Sequence, residues 1–382
     1  MRDILRQNNA DLLCDVERLG ETLRQAAAAV PPELLPFFEW VTDRCDAFRE
    51  AVTDNLRYID LGVDEILPDV LSETQVITRN LHLFNRYLVS PVLRVRPSDR
   101  LCLKLLRWLH GAHPQTRHIP AAISDGDYAT FPNPRIPTIY FMPPSAQHRL
   151  LYLALFFHEF GHLLYACHRP EMDALVRNLQ KVIALRLEPS AQRDDRHSQR
   201  EQERRSAIVE TWYEWTIELF CDAVGLSIGG AAFAHSFSMF FRMRGRDEFQ
   251  VRPEALEHSG HPVTWLRIRL LAERARQMGL EQDAQVIEDS WQAIARELRI
   301  SEDYFGFYEP EFSGAIQQTI TDMLTEANPR RFDGQEQGDA ESPADSPVRL
   351  LDRAWQQFFK DAQGYAGWEK SAIAAYVAEA AH

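Results

Sequence analysis

The sequence predicts a mainly α-helical protein with a small edge-strand element, packed around one apolar helix. Three features carry this expectation. Apolar residues recur at helical spacing over long stretches of the chain. The run Leu151–Leu164 (LYLALFFHEFGHLL) is strongly apolar, and it contains His158, Glu159 and His162 as H-E-x-x-H. One stretch, Arg135–Met142 (RIPTIYFM), breaks the helical pattern and suits a strand at Ile139, Tyr140 and Phe141.

The N-terminal region, residues 1–112, reads as all-helical. Its first pattern covers 3–29 and stops at Pro31-Pro32, and others cover about 33–52, 72–88 and 99–110. This region carries no chemical motif and fits a bundle or cap. Within Leu93–His118, Arg94, Arg96, Arg100, Lys104, Arg107 and Arg117 face the single acid Asp99. Such a run is a solvated helix face or a phosphate- or partner-binding patch, the former being the simpler reading. Pro137 places the strand of Arg135–Met142 at a sheet edge, because proline cannot donate to a ladder. An edge there would accept an extended peptide by strand addition. Ser145, just past the strand, is a candidate N-cap for the apolar helix.

Beyond that helix, Glu171–Leu187 looks helical, and 188–205 is almost wholly polar, a loop or the solvated start of the next helix. That helix continues through SAIVETWYEWTIELFCDAVGL until Gly229-Gly230 interrupts it, and Ala231–Met243 resumes the pattern. Pro262 opens a further helix that ends before Gly279, and helical patterns continue to about 327. Residues 328–347 have no apolar periodicity and read as a flexible linker. The segment 348–382 reads as two short helices.

Composition narrows the function. The chain has 382 residues and a formal charge of −14, with a pI near 5.4, which argues against general nucleic-acid binding. No apolar run suggests a membrane span of about 20 residues, and the N-terminus lacks a signal-peptide core. Five cysteines without a C-x-x-C pair fit a reducing, cytoplasmic setting.

His158 and His162, four apart, project from one helix face and can share one metal ion, for which zinc is the usual choice with neutral nitrogen donors. Glu159 follows the first histidine, where its carboxylate can take a proton from a water on that ion. Gly161 is unfavourable inside a helix by about 1 kcal/mol, so a close backbone neighbour is expected beside it. For the third ligand, Glu218 shares an apolar helix face with Asp222. Two inward carboxylates need a partner. Glu218 would bind the metal and Asp222 would orient a ligand histidine from behind. The alternative is His168, at metzincin spacing, but Tyr165 stands where that pattern needs a glycine turn.

Three motifs in order, HEFGH, WTIELFCDAVG and SGHPVTWLRIRLL, resemble the gluzincin metallopeptidases of the HtpX and CAAX-prenyl-protease type. The resemblance covers roughly 135–280. It implies a zincin-like metallopeptidase domain at 113–327, with zinc on His158, His162 and Glu218 and Glu159 as general base. Members of that type commonly carry membrane helices, which are not expected here. The expectation is therefore a soluble zinc endopeptidase acting on protein or peptide, gated or activated by a regulatory partner. The rivals are a zincin-fold sensor or adaptor without proteolysis, and a metal-dependent hydrolase of a non-peptide amide. Two residues complete the expected site. His261, on a loop ahead of Pro262, can donate to the developing oxyanion or cover the metal at rest. Arg267, one to two turns into the next helix, can brace the Glu218–Asp222 helix.

Overall fold

In the computed structural model, residues 1–116, 120–123, 126–188, 195–331 and 347–378 are described. Helix accounts for 77% of the protein, and the rest includes one three-stranded mixed sheet. The mainly α expectation therefore holds.

Helices α1 (Arg2–Ala26), α2 (Leu35–Asp60) and α3 (Leu67–Leu83) pack on one another along apolar stripes. A buried polar contact interrupts that seam. Asn9 Nδ2 donates to Thr74 Oγ1 at 3.0 Å, and Asn55 Nδ2 donates to Asn9 Oδ1 at 3.3 Å. Each helix supplies one member, so a slipped register would bury these groups unpaired, at about 1–3 kcal/mol each. After a π-helical turn (Phe84–Val89) come α4 (Ser90–Arg94) and α5 (Arg100–Gly111).

The basic stretch around α5 is only partly solvated. Arg100 forks onto Glu33 and also reaches Val377 O at 3.4 Å, while Lys104 donates to Tyr376 O at 2.6 Å. Both carbonyls belong to the last turn of α15 (Tyr365–Ala378), the negative end of its dipole. The solvated-face reading fails at these two positions because the C-terminal helix folds back onto them. Arg117 and His118 lie outside the described residues.

The sheet holds β1 (Ala121–Ile123), β2 (Ala129–Phe131) and β3 (Ile139–Phe141) in the order β1-β3-β2. β1 runs parallel to β3, with Ala121 opposite Ile139, and β2 runs antiparallel to it, with Phe131 opposite Ile139. The strand read from Arg135–Met142 is thus central, not an edge, and strand addition on it is blocked on both sides. Pro137 does not forbid this, because it precedes the first ladder residue and its missing N–H falls outside the pairing.

The apolar run is two helices rather than one. α6 (Leu150–Leu153) and α7 (Phe156–Cys167) are separated by a turn at Ala154-Leu155. Ser145 does not cap either of them, since it sits in a short 3-10 turn, Pro144–Ala146. The free N–H of Leu150 is taken from far along the chain by Glu369 Oε1, at 2.7 Å. Glu369, on α15, is buried and also accepts from Tyr365 Oη at 2.8 Å. A carboxylate at a helix N-terminus is favoured by both the orphan N–H groups and the dipole.

Against α7 lies α9 (Asp195–Phe241). Of the polar stretch 188–205, residues 195–205 form the first part of α9, and 189–194 lie outside the described residues. Gly230 has φ 52° and ψ −137°, so the helix breaks there, as the glycine pair suggested. The close neighbour expected at Gly161 is Cys221. A Cβ on Gly161 would lie 2.7 Å from Cys221 Cα and 3.0 Å from its Sγ. The missing side chain lets the two backbones approach and sets the depth at which α9 presents Glu218 and Asp222 to the histidines. Gly161→Ala gains helix propensity but forces the helices apart. It is expected to destabilise the protein by about 1–3 kcal/mol, read as a lower urea midpoint at unchanged m-value. An unchanged midpoint would mean that the contact relaxes freely.

α8 (Arg169–Arg186), α11 (Thr264–Gln277), α12 (Glu281–Leu298) and α13 (Ser313–Ala327) pack around α9, the short α10 (Pro253–Leu256) precedes α11 in the chain, and α14 (Pro347–Lys360) packs on α9 with α15 beyond. The buried apolar side chains form one contiguous cluster from Leu12 to Tyr376, beside a small satellite at Leu5, Ile59, Leu67 and Val70. The polar stretch read as a linker lies outside the described residues over 332–346. Contrary to expectation, Leu150–Cys167 and Gln199–Phe241 contain stretches long and apolar enough to cross a membrane by length and composition. In their most apolar windows 78% and 89% of residues are buried inside the fold, as in core helices.

Candidate metal centre

α7 and α9 bring three donors together. The ligand atoms of His158, His162 and Glu218 all lie within 4.8 Å of one another. His158 Nε2 is 3.4 Å from Glu218 Oε2, and His162 Nε2 is 3.6 Å from Glu218 Oε1. One helical turn of α7 separates the two imidazoles, whose ring planes are almost perpendicular. Glu218 Oε2 is buried and has no hydrogen-bond partner. It is held instead by longer ion-pair contacts, with Arg267 Nη2 at 3.3 Å and His158 Nε2 at 3.4 Å.

Behind the triad, Asp222 Oδ1 lies 2.8 Å from His158 Nδ1. With Nδ1 toward Asp222, the ring turns Nε2 toward Glu218. Arg267 Nε and Nη2 donate to Asp222 Oδ2 and Oδ1, both at 2.8 Å, and Nη2 also lies 3.3 Å from Glu218 Oε2. Its guanidinium stacks over Phe237 at 4.8 Å. Two buried carboxylates therefore share one buried guanidinium and the His158 ring. Two nitrogens and a carboxylate oxygen at this spacing suit a divalent transition metal.

Burial and charge set the titration of the group. Burial disfavours the imidazolium of His158, but its contacts with Asp222 and Glu218 prevail and raise its pKa to about 10. His162 has no such support and is lowered to about 4, first by burial and then by His158. Burial pushes Glu218 upward, and its contacts with His158 and Arg267 outweigh this and hold it below the usual carboxylate range. Glu159 is raised to about 7, chiefly by burial.

Other residues singled out in the sequence are placed as follows. Glu159 lines the same cleft as His158, Glu218 and Arg267. His261 sits at its rim, with Nε2 3.4 Å from Glu218 Oε1 and the side chain 68% exposed. Its loop is tethered by Trp215 Nε1, which donates to Ser259 O at 3.0 Å. His168 ends α7 and faces Glu326, with Nδ1 3.3 Å from Oε1. α7 stays helical through Tyr165, whose hydroxyl donates to Asp173 on α8 at 2.7 Å, so nothing returns His168 toward the triad. Sequence reasoning missed the cleft's aromatic wall of Phe237, Phe240 and Phe241, and missed Arg244 and Tyr128. The wall was readable, because i, i+3, i+4 spacing after Gly230 puts the three phenylalanines on one face.

Fold and site together define a mainly helical protein with a buried His/His/Glu group able to hold a metal ion. No protein-family model, curated protein or solved structure matches the chain.

The ligand set is testable by metal analysis. Glu218→Ala is expected to release the ion or weaken its binding by orders of magnitude. His168→Ala should retain the wild-type stoichiometry. The reverse pattern would overturn this assignment.

Proposed function

We propose that the protein is a zinc-dependent endopeptidase of the gluzincin type. The observation that carries this reading is the cleft itself. Its floor joins the His158–Glu218 metal group to a buried carboxylate, Glu159, that is not one of the three donors. A sensor or adaptor has no use for that additional acid beside a metal.

Zinc held by His158, His162 and Glu218 would supply Lewis acidity and make a water nucleophilic at neutral pH. Glu159 then accepts the proton of the attacking water and passes it to the leaving nitrogen. His261 Nε2, at the rim, donates to the peptide carbonyl oxygen as negative charge develops. Asp222 keeps the His158 ring oriented, and Arg267 keeps Asp222 ionised and in place.

The net negative charge, the unpaired cysteines and the burial of both long apolar helices support a protein that works in a reducing aqueous compartment on peptides rather than nucleic acid or lipid. A regulatory partner remains part of the proposal, since an open peptide-cleaving cleft requires restraint in a cell. The experiment is hydrolysis of a quenched-fluorescence peptide library by zinc-loaded protein, with and without chelator. Chelator-sensitive cleavage supports the reading. Hydrolysis of small amides alone would favour the non-peptide rival, and zinc binding with no turnover the adaptor.

His261→Ala provides a separate check. It should bind zinc normally and lose about 10²–10³-fold in kcat with little change in KM. Unchanged turnover would remove His261 from the mechanism.

A further inference from the structure

The cleft above the triad encloses about 410 Å³, within the range of about 300–1,000 Å³ typical of sites that bury a small ligand or a few side chains. Its two ends differ. The floor is the metal group, where Glu218 Oε2 lies 3.3 Å from Arg267 Nη2 and 3.4 Å from His158 Nε2. One wall is a packed aromatic array. Phe237 and Phe241 have ring centroids 4.8 Å apart, Phe240 and Phe241 5.0 Å, and Tyr128 approaches Phe240 at 5.6 Å. Val251 and Val263 extend that apolar lining.

The mouth is acidic. Asp127 approaches from the bend just before β2, and Asp247 and Glu248 from the turn after α9. Against these three carboxylates stands one guanidinium, Arg244. It lies over the Phe240 and Phe241 rings, at 5.0 and 5.5 Å, and 3.8 Å from Asp127. Asp127 is 77% exposed in that pair, so it keeps most of its hydration and its capacity for another cation. Glu248 accepts from Thr264 Oγ1 and is held in place. Among the residues lining the mouth, carboxylates outnumber guanidiniums, and the whole chain carries a charge of −14.

From this arrangement we propose that the cleft selects peptides with a large apolar side chain, aromatic or branched, flanked by lysine or arginine. The inference rests on the peptide reading and deepens it. The apolar side chain fills the phenylalanine wall, which removes it from water beside the scissile bond. The flanking cation pairs with Asp127 or Asp247 at the mouth. An acidic flank would meet those carboxylates at close range and be rejected. Recognition thus combines an area-dependent apolar contact with a screened electrostatic one, and the two are separable by salt.

The test uses zinc-loaded Glu159→Gln protein and titration calorimetry. Three short peptides of one length are compared: phenylalanine flanked by lysines, phenylalanine flanked by glutamates, and alanine flanked by lysines. The first is expected to bind about 10-fold or more tighter than either other at low salt, with its lead over the glutamate peptide collapsing near 0.5 M NaCl. In the double variant Asp127→Asn/Asp247→Asn, that lead should shrink about fivefold at low salt. Equal affinities for lysine and glutamate flanks, or a lead indifferent to both salt and the double variant, would overturn the proposal. The wild-type protein separates the two readings. Selective binding without cleavage would sink the peptidase reading and leave recognition standing. Cleavage without the preference would sink the recognition and leave the peptidase. Absence of both binding and cleavage would sink both.

Discussion

Glu159→Gln is expected to abolish measurable peptide hydrolysis while leaving the fold and the metal in place. The loss should be about 10²–10⁴-fold in kcat, the usual weight of a positioned general base. Metal content should not change, because Glu159 is not among the three donors that converge. Stability provides an independent sign. Glu159 is buried, and folding raises its carboxyl from 4.5 to about 7. An acid whose pKa rises on folding costs stability above both values, and the cost disappears as pH falls below the unfolded value. In metal-free protein at pH 8, Glu159→Gln should therefore be more stable than wild type, by up to about 3 kcal/mol. The difference should close below pH 4. Urea titrations at the two pH values check this. A variant that is less stable at pH 8 would show that the ionised carboxylate has a stabilising partner, and turnover near wild type would place the chemistry elsewhere.

Arg267→Met should have the largest structural effect. Arg267 is 3% exposed and carries two hydrogen bonds to Asp222, a contact to Glu218 and the face of Phe237. Methionine keeps much of the volume and removes the charge. Asp222 and Glu218 are then buried without their cation, and breaking one side of a buried pair costs about 3–5 kcal/mol. Metal affinity should fall about 10–100-fold as well, because Asp222 no longer holds the His158 ring. The double variant Arg267→Met/Asp222→Asn separates charge from packing. It should recover part of the stability but not the metal affinity. A loss below about 1 kcal/mol in the single variant would mean that water reaches the pair.

Arg267 also shows how far the chain could be read in advance. A pairing with a carboxylate on the α9 helix was expected from its place one to two turns after Pro262. The fork onto Asp222, with a third contact to Glu218, depends on how α11 crosses α9 and could not be read from spacing. Gly161 is similar. A glycine inside an apolar helix announced a close neighbour, but only the packing of α7 on α9 identified Cys221. The strand at Ile139–Phe141 was located correctly and its neighbours were not, because sheet order is a property of three segments at once. Glu369 gave no signal at all. Its role as the cap of α6 comes from the return of the C-terminal helices, which the basic face of α5 receives.

By itself the sequence determined what repeats locally: helical periodicity, the i, i+4 pair of histidines on one face, the i, i+4 carboxylates on another, and the breaks at Gly230 and the prolines. These follow from backbone geometry within a few residues of each other. Tertiary structure decided which faces meet. It alone set Glu218 between the two histidines and against the Arg267 guanidinium. It alone lined a cleft with phenylalanines from beyond the Gly230 break and placed β3 between two strands. Those outcomes depend on distances between segments far apart in the chain, fixed by how their apolar surfaces fit against one another, and no local pattern encodes such a fit.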